Sequence, residues 1–327
     1  MNLTEEKEEV IAVIDGDEIA FIVASACEKR TIKVTNALSE GVAAFKTRTE
    51  FKNFTKGLEV PEELFSIEDV QVADDLPNAL HTVKIILDNI KDSCKADKIE
   101  IYLSGKDNFR DSIPLPTQYK SSRKDTLKPL LLKEIRAFLV RKGAKIVDGQ
   151  EVDDVVCHRM WDGYKAKQKI IGVTVDKDAC GSAGWLYNRD KMEEPEFIDG
   201  KDVGQLYIDA KNKVRGTGRK WLYHQICIGD STDCYNPSEI CGARFGEKSS
   251  YKLLAPLKTD KECWQAIYDL YKGWYPDITK YIDWEGTERE VDVFFILQMY
   301  FDCARMRRWA DDTIDVKEVL TKMGVKF

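Results

Sequence analysis

The chain is poor in the residues that build soft metal sites and membrane spans. It has three histidines in 327 residues, His81, His158 and His224. No two of them share a ligand spacing, so they are expected to be structural. Its nine cysteines are scattered, odd in number and never spaced C-x-x-C. That excludes paired-cysteine motifs and points to reduced thiols in the cytosol. No run of about 18 apolar residues is present, so no helix is expected to cross a membrane. The first residues, MNLTEEKEEV, are acidic and polar, unlike a secretory leader. A P-loop pattern is missing, which excludes nucleotide hydrolysis through that motif. There is no internal repeat and no low-complexity tract.

What is present supports a sizeable folded protein. A hydrophobic content of 43% supplies a core, and 33% charged residues a well-solvated surface. The length suits two domains, or one large domain with an appended part. A net charge of −7 argues at first sight against a polyanionic partner. The distribution argues the other way. Residues 106–145 hold eleven Lys/Arg against four Asp/Glu, a local balance of +7, which leaves −14 for the rest. Residues 211–229 add Lys211, Lys213, Arg215, Arg219 and Lys220 with no acidic residue. Basic segments beside an acidic centre are what hydrolysis of a polyanion needs.

Short apolar runs alternate with amphipathic ones. VIAVI (10–14), IEIYL (99–103), AKIVD (144–148) and KIIGVTVD (169–176) read as strands, the first and last of them buried. Residues 18–30, 77–95 and 127–142 carry helical spacing; in the second, Leu80, Val83, Ile86, Leu87 and Ile90 share a face. Residues 31–75 are mixed and read as an insertion. Residues 104–126, with Pro114 and Pro116, read as a loop. From about 220 onward the pattern is mainly helical, and its Trp- and Tyr-rich stretches read as core. The alternation predicts an α/β fold, a mostly parallel central sheet with helices on both faces. Ligands of such sheets bind outside the carboxyl ends of the strands.

Carboxylates gather at those ends. Asp15 closes the first strand in VIDGDEIAF, with Asp17 two residues on. Three clusters follow: Glu151-Val-Asp153-Asp154, Asp176-Lys-Asp178 and Asp230-Ser-Thr-Asp233. Any one of them alone reads as a helix start, where acidic residues complement the dipole. Together they make a set of hard oxygen donors without His or Cys, which suits Mg²⁺ or Mn²⁺ rather than zinc. Like charges this close repel, so the set calls for cations. We expect Asp15, Glu151, Asp153 and Asp154 at one ion, and Asp176, Asp178, Asp230 and Asp233 at a second. Asp17 is expected behind them. Lys120 and Arg123 in YKSSRK would share one side of a helix and neutralise charge on a phosphate. Tyr119 offers a ring to an unpaired base.

The order of these motifs resembles the 5′-nuclease superfamily of flap endonucleases and phage 5′–3′ exonucleases, the phage branch most. VIDGDEIAFIVASACE is similar to its first strand and helix. FRDSIPLPTQYKSSRK is similar to its phenylalanine-arginine and tyrosine-lysine-x-x-arginine segment. EVDDVV, TVDKDA and GDSTD match its later acidic motifs, and ICGARFGEKSSYKLL resembles its helix-three-turn-helix. The resemblance covers roughly residues 10–255. It implies a two-metal hydrolase cutting phosphodiesters near 5′ ends of DNA, on duplex or flap, and on RNA–DNA hybrids in some relatives. It implies duplex contacts from Gly242, Gly246, Lys248 and Ser249, with K⁺ at that motif. It also implies a nuclease core over 1–225, a helical DNA-binding part over 226–327, and a cytoplasmic home in an infected bacterial cell. The segment 106–145 is then an arch-like flexible cover that orders when a 5′ end enters. Ser104 stands where the family carries an aspartate, with Asp107 nearby. CYNPSE lengthens the link between Asp233 and Ile240, and one glycine is missing between Arg244 and Phe245. The rival readings are a PIN-type ribonuclease and a non-catalytic, structure-specific DNA-binding protein.

Overall fold

The computed structural model describes residues 8–56, 61–124, 126–308 and 311–327. Residues 57–60 of the expected insertion and residue 125 of the basic segment lie outside them. In chain order the elements begin with β1 (Ile11–Asp15), α1 (Gly16–Ala26), β2 (Glu28–Asn36), β3 (Val42–Phe45) and α2 (Arg48–Thr55). Then come β4 (Phe65–Ala73), α3 (Leu76–Cys94), β5 (Lys98–Asn108), α4 (Leu132–Arg141), β6 (Lys145–Gly149) and α5 (Val152–Ala166). Strands β7 (Ile170–Val173), β8 (Gly184–Tyr187), β9 (Glu196–Ile198), β10 (Gln205–Ile208) and β11 (Val214–Thr217) follow. The C-terminal part holds α6 (Arg219–Ile228), α7 (Glu247–Leu254), α8 (Asp260–Trp274), β12 (Thr279–Ile282), β13 (Glu288–Val291), α9 (Val293–Ala304) and α10 (Val316–Met323). None of the described helices is long and apolar enough to cross a membrane.

The chain divides into two units. The first comprises the described residues of Met1–Gly16, Asn89–Thr126 and Gly143–Phe327. Its sheet has six strands in the order β6-β5-β1-β7-β8-β9, parallel throughout except for the antiparallel edge strand β9. Helix α5 packs on it with Val152, Val155, Val156 and Met160 buried at helical spacing. Each such side chain contributes about 1.5–3 kcal/mol by leaving water. Gly172 of β7 permits that approach, since a Cβ there would lie 2.4 Å from the Met160 sulfur. Gly16 does the same after Asp15, where a Cβ would lie 2.7 Å from the Tyr102 carbonyl oxygen. The mostly parallel α/β architecture is as the sequence predicts.

The same unit carries the C-terminal helices. Trp264, Tyr271, Tyr300 and Phe301 from α8 and α9 pack with Trp221 and Ile226 of α6 in one buried cluster. The boundary expected near 225 therefore falls inside α6 and inside this unit. The cluster also takes in Ile113, Leu115 and Tyr119. The Trp284 amide donates to the Leu115 carbonyl (2.9 Å), and the Tyr281 hydroxyl to the Pro114 carbonyl (2.7 Å). The segment 106–145, expected as an arch, is thus divided between the two units. Its first part is fixed in the core, and its last, Leu127–Lys142, belongs to the second unit.

The second unit comprises the described residues of Asp17–Asp88 and Leu127–Lys142. The stretch 31–75, read as an insertion of mixed character, holds most of the antiparallel sheet β3-β2-β4 and helix α2. Ile32 and Val34 alternate inward and pack on Phe51 of α2.

Candidate metal centre

The centre lies in the first unit, at the carboxyl ends of β1, β6 and β7. Asp15 is the last residue of β1 and is buried. Glu151 follows β6 as the N-cap of α5, where its amide donates to Asp154 Oδ2 (3.3 Å). Asp153, in the first turn, accepts from the Thr174 hydroxyl (3.5 Å). That hydroxyl accepts in turn from the Asp176 amide (3.0 Å) just beyond β7. Asp176 Oδ1 accepts from the Asp178 amide (2.8 Å), and Asp178 Oδ1 from Gln225 of α6 (2.5 Å). Asp230 and Asp233 follow α6 in a loop closed by paired bonds between Asp230 and Tyr235.

Two groups of like charge result. Burial pushes the Asp153 carboxyl well above its ordinary range, and Asp15, Asp176 and Glu151 push it further. Burial raises Asp178 to about 8, with Asp176, Asp230 and Asp233 adding to the rise. Asp176 belongs to both groups. Four cations meet the set among the described residues, Arg110 at 3.4 Å from Glu151 Oε2 being one. Lys120 reaches Glu151 Oε1, with Asp233 Oδ1 at 3.8 Å. Arg123 donates to Asp233 Oδ1 at 2.8 Å, and Lys177 to Asp230 Oδ2 at 2.5 Å. Burial would raise Asp230, but the Lys177 ammonium holds it below its ordinary value. Asp233 stays raised, since burial outweighs Lys120 and Arg123.

Seven carboxylates (Asp15, Glu151, Asp153, Asp176, Asp178, Asp230, Asp233) thus face four cations among the described residues. That donor set fits hard divalent cations. Among the described residues, no three His, Cys, Asp or Glu side chains already converge as a closed metal site. The carboxylates turn instead toward the cations, hydroxyls and amides just described.

No protein-family model matches the chain, and no curated protein matches it. Solved structures do. The chain is similar to a bacteriophage T5 protein co-crystallised with metal ions, at TM-score 0.48 and 11% identity over 96% of this chain and 97% of that one. It is also similar to the T5 5′-exonuclease with bound zinc (0.47, 11%, 96% and 97%). A third is the T5 flap endonuclease in a pseudo-enzyme–product complex with DNA and metal ions (0.42, 12%, 96% and 98%). At these identities the chemistry has to be argued from this chain's own residues.

Four expected residues are placed otherwise. Asp154 does not face the cluster. It is fully buried, and Arg110 grips both its oxygens (2.6 and 3.0 Å), while the Arg307 amide donates to Oδ1 (2.9 Å). Arg110, itself 0% exposed, also donates to the Cys303 and Arg305 carbonyls. Tyr119 is 4% exposed and has no face for a base. Its hydroxyl lies 3.2 Å from Glu151 Oε2 and 3.0 Å from Asp233 Oδ2, and so bridges the two groups. Lys120 does not share a helix with Arg123 either. It precedes the short 3₁₀ turn Ser121–Arg123 in a left-handed conformation (φ 53°), and the two side chains converge through that turn. Asp17 pairs with Arg136 in the second unit.

Gly242, Gly246, Lys248 and Ser249 lie together on the surface at the start of α7. Gly242 has a left-handed backbone (φ 70°), and Gly246 is an N-cap without a side chain to cap. Lys248 Nζ donates to Asn212 in the β10–β11 turn (2.5 Å). Ser104 stays in β5 opposite Val147, and Asp107 is exposed at the bulge beyond it. Sequence reasoning missed Arg110, Lys177, Asp111 and Gln225. The first three lie inside or beside the quoted acidic and basic motifs, so their charge was a usable signal. Asp111 is raised by burial and by Glu151, which puts a further carboxyl near the centre. Gln225 left no signal.

Proposed function

We propose that the protein is a metal-dependent phosphodiesterase that cuts DNA near 5′ ends. One observation carries this reading: two overlapping groups of repelling carboxylates, centred on Asp153 and Asp178, stand beside Lys120 and Arg123. Divalent cations, Mg²⁺ or Mn²⁺, would supply Lewis-acid charge for the scissile phosphate and its leaving oxygen. Asp15, Glu151, Asp153 and Asp176 would hold one, and Asp176, Asp178, Asp230 and Asp233 the other.

The protein's own groups do the rest. Thr174 orients Asp153 against Asp176, and Gln225 orients Asp178. Tyr119 fixes Glu151 against Asp233. Lys120 and Arg123 exchange these carboxylates for phosphate oxygens as the substrate enters, and so place positive charge where negative charge develops. The start of α7, with Lys248 and Ser249, holds the duplex backbone without reading bases.

The test is cleavage of a 5′-labelled DNA set (blunt duplex, flap and RNA–DNA hybrid) with each metal. Turnover is expected with Mg²⁺ or Mn²⁺, and binding without turnover with Ca²⁺. Asp153→Ala should lower turnover by about a thousandfold or more, as loss of an ion clamp does. Full activity in excess EDTA, or in Asp153→Ala, refutes the proposal.

A further inference from the structure

The first unit carries a second concentration of aromatic and basic groups, on the β8–β9 edge of the sheet. Four rings run in an unbroken chain there. Trp161 stacks on Tyr164 (centroids 5.4 Å, planes 20° apart), and Tyr164 on Phe197 (6.0 Å, 25°). Phe197 tilts against Trp185, its register partner, at 5.3 Å. Phe197 sits on the edge strand and is 49% exposed. Beside the rings is an open groove of about 440 Å³, lined by Tyr164, Trp185, Phe197, Lys165, Lys167 and Lys201. Lys169 Nζ adds a fourth ammonium 4.5 Å from the Trp185 ring centre.

These lysines are not spent on ion pairs. Among the described residues none of the four has a carboxylate partner within 4.0 Å. The one carboxylate lining the groove is Asp199, and it accepts from the Tyr164 hydroxyl (3.0 Å) and the Lys201 amide (2.9 Å). Glu196 precedes Phe197 on β9, and strand alternation places it on the opposite face. The groove therefore offers the half-exposed Phe197 ring, beside Trp185, inside a rim of lysines that outnumbers its one carboxylate.

We propose that this groove binds single-stranded nucleic acid. Bases stack on Phe197 and Trp185, and phosphates meet Lys165, Lys167, Lys169 and Lys201. A single strand presents both chemistries at once, a π-face from every base and a regular row of anions. A duplex presents only the anions, because its bases are stacked on one another. The groove lies at the C-terminal end of α5, whose other end carries Glu151. Fifteen residues of helix span about 22 Å. The groove thus holds a strand well outside the metal centre, and nothing in its binding requires that centre.

The experiment is fluorescence anisotropy with the full chain in EDTA, using a labelled oligothymidylate of about 20 nucleotides, longer than the site of one stacking module. A blunt hairpin duplex is the comparison. Phe197→Ala should weaken oligothymidylate binding about tenfold, the worth of one stacked base. Lys165→Glu with Lys201→Glu should reduce the salt slope by about 1.4, at about 0.7 per phosphate contact on a single strand. Both variants should bind the duplex within about twofold of the parent, and thermal melts should show both folded, since the altered side chains are largely exposed. An unchanged oligothymidylate affinity and slope overturns the proposal. So does an equal loss on both ligands. Cleavage of the blunt duplex in Mg²⁺ reads the metal centre separately, so either proposal can fail without the other.

Discussion

Asp178→Asn isolates the electrostatic argument from catalysis. Asn keeps an oxygen for the Gln225 amide and removes only the charge. The Asp178 carboxyl is raised from 3.8 to about 8 by burial and by Asp176, Asp230 and Asp233. A carboxyl raised in the fold stabilises the fold while protonated. That contribution is complete below about pH 4 and is lost as pH climbs through about 8. Four units at about 1.4 kcal/mol each set a ceiling near 6 kcal/mol. Side-chain movement toward Lys177 and water relieves part of this. We expect about 2 kcal/mol, or about 3 °C in Tm for a chain of this length. In EDTA, thermal melts of the wild type should therefore decline between about pH 5 and 8, and Asp178→Asn should flatten that decline. At about pH 8.5 the variant should be the more stable protein, despite having lost a residue of the centre. Added Mg²⁺ should raise the Tm of the wild type by more than that of the variant, which keeps only the group around Asp153 whole. A variant profile running parallel to the wild type, or an equal Mg²⁺ response, refutes the reasoning.

Arg110→Met should cost about 3–5 kcal/mol in urea melts, because it strands the buried Asp154 charge; a loss below about 1 kcal/mol would show that the pair is not buried as described. Lys120→Ala should lower the single-turnover rate by about a hundredfold while changing DNA affinity by less than about threefold. An effect on affinity alone would make Lys120 an ordinary phosphate contact. Lys248→Ala should weaken duplex binding evenly across sequences and reduce the salt slope by about 0.9; an unchanged slope would remove α7 from the duplex interface.

Strands β1 and β7 of the central sheet were legible because they are buried on both faces. VIAVI and KIIGV are continuous apolar runs, and that pattern survives without knowledge of their partners. The second unit's sheet was not legible for the opposite reason. In β2 only Ile32 and Val34 point inward, between Lys29, Arg30 and Lys33, and their packing on Phe51 depends on residues far along the chain. The boundary near 225 was read on the same kind of local signal, and it lies inside α6. Composition changes there, but Ile113, Leu115 and Tyr119 from the basic segment fill the core between the C-terminal helices. A loop rich in proline and charge gave no hint that three of its side chains are structural.

Spacing located the acidic motifs correctly but not the direction of each side chain. Asp153 and Asp154 are neighbours on α5, so about 100° of helical rotation separates them. They cannot serve one site equally. Asp153 falls toward Asp15 and Asp176, and Asp154 toward Arg110 and the chain after α9. Arg110 comes from the segment read as a loop, and the carbonyls it binds come from residues 303 and 305, nearly two hundred positions later. Nothing local in EVDD distinguishes a carboxylate that waits for a cation from one already neutralised by a buried arginine. The difference is made by a partner elsewhere in the sequence. It explains why a motif count gives one oxygen donor too many, and why loss of Asp154 should unfold the centre while loss of Asp153 should only empty it.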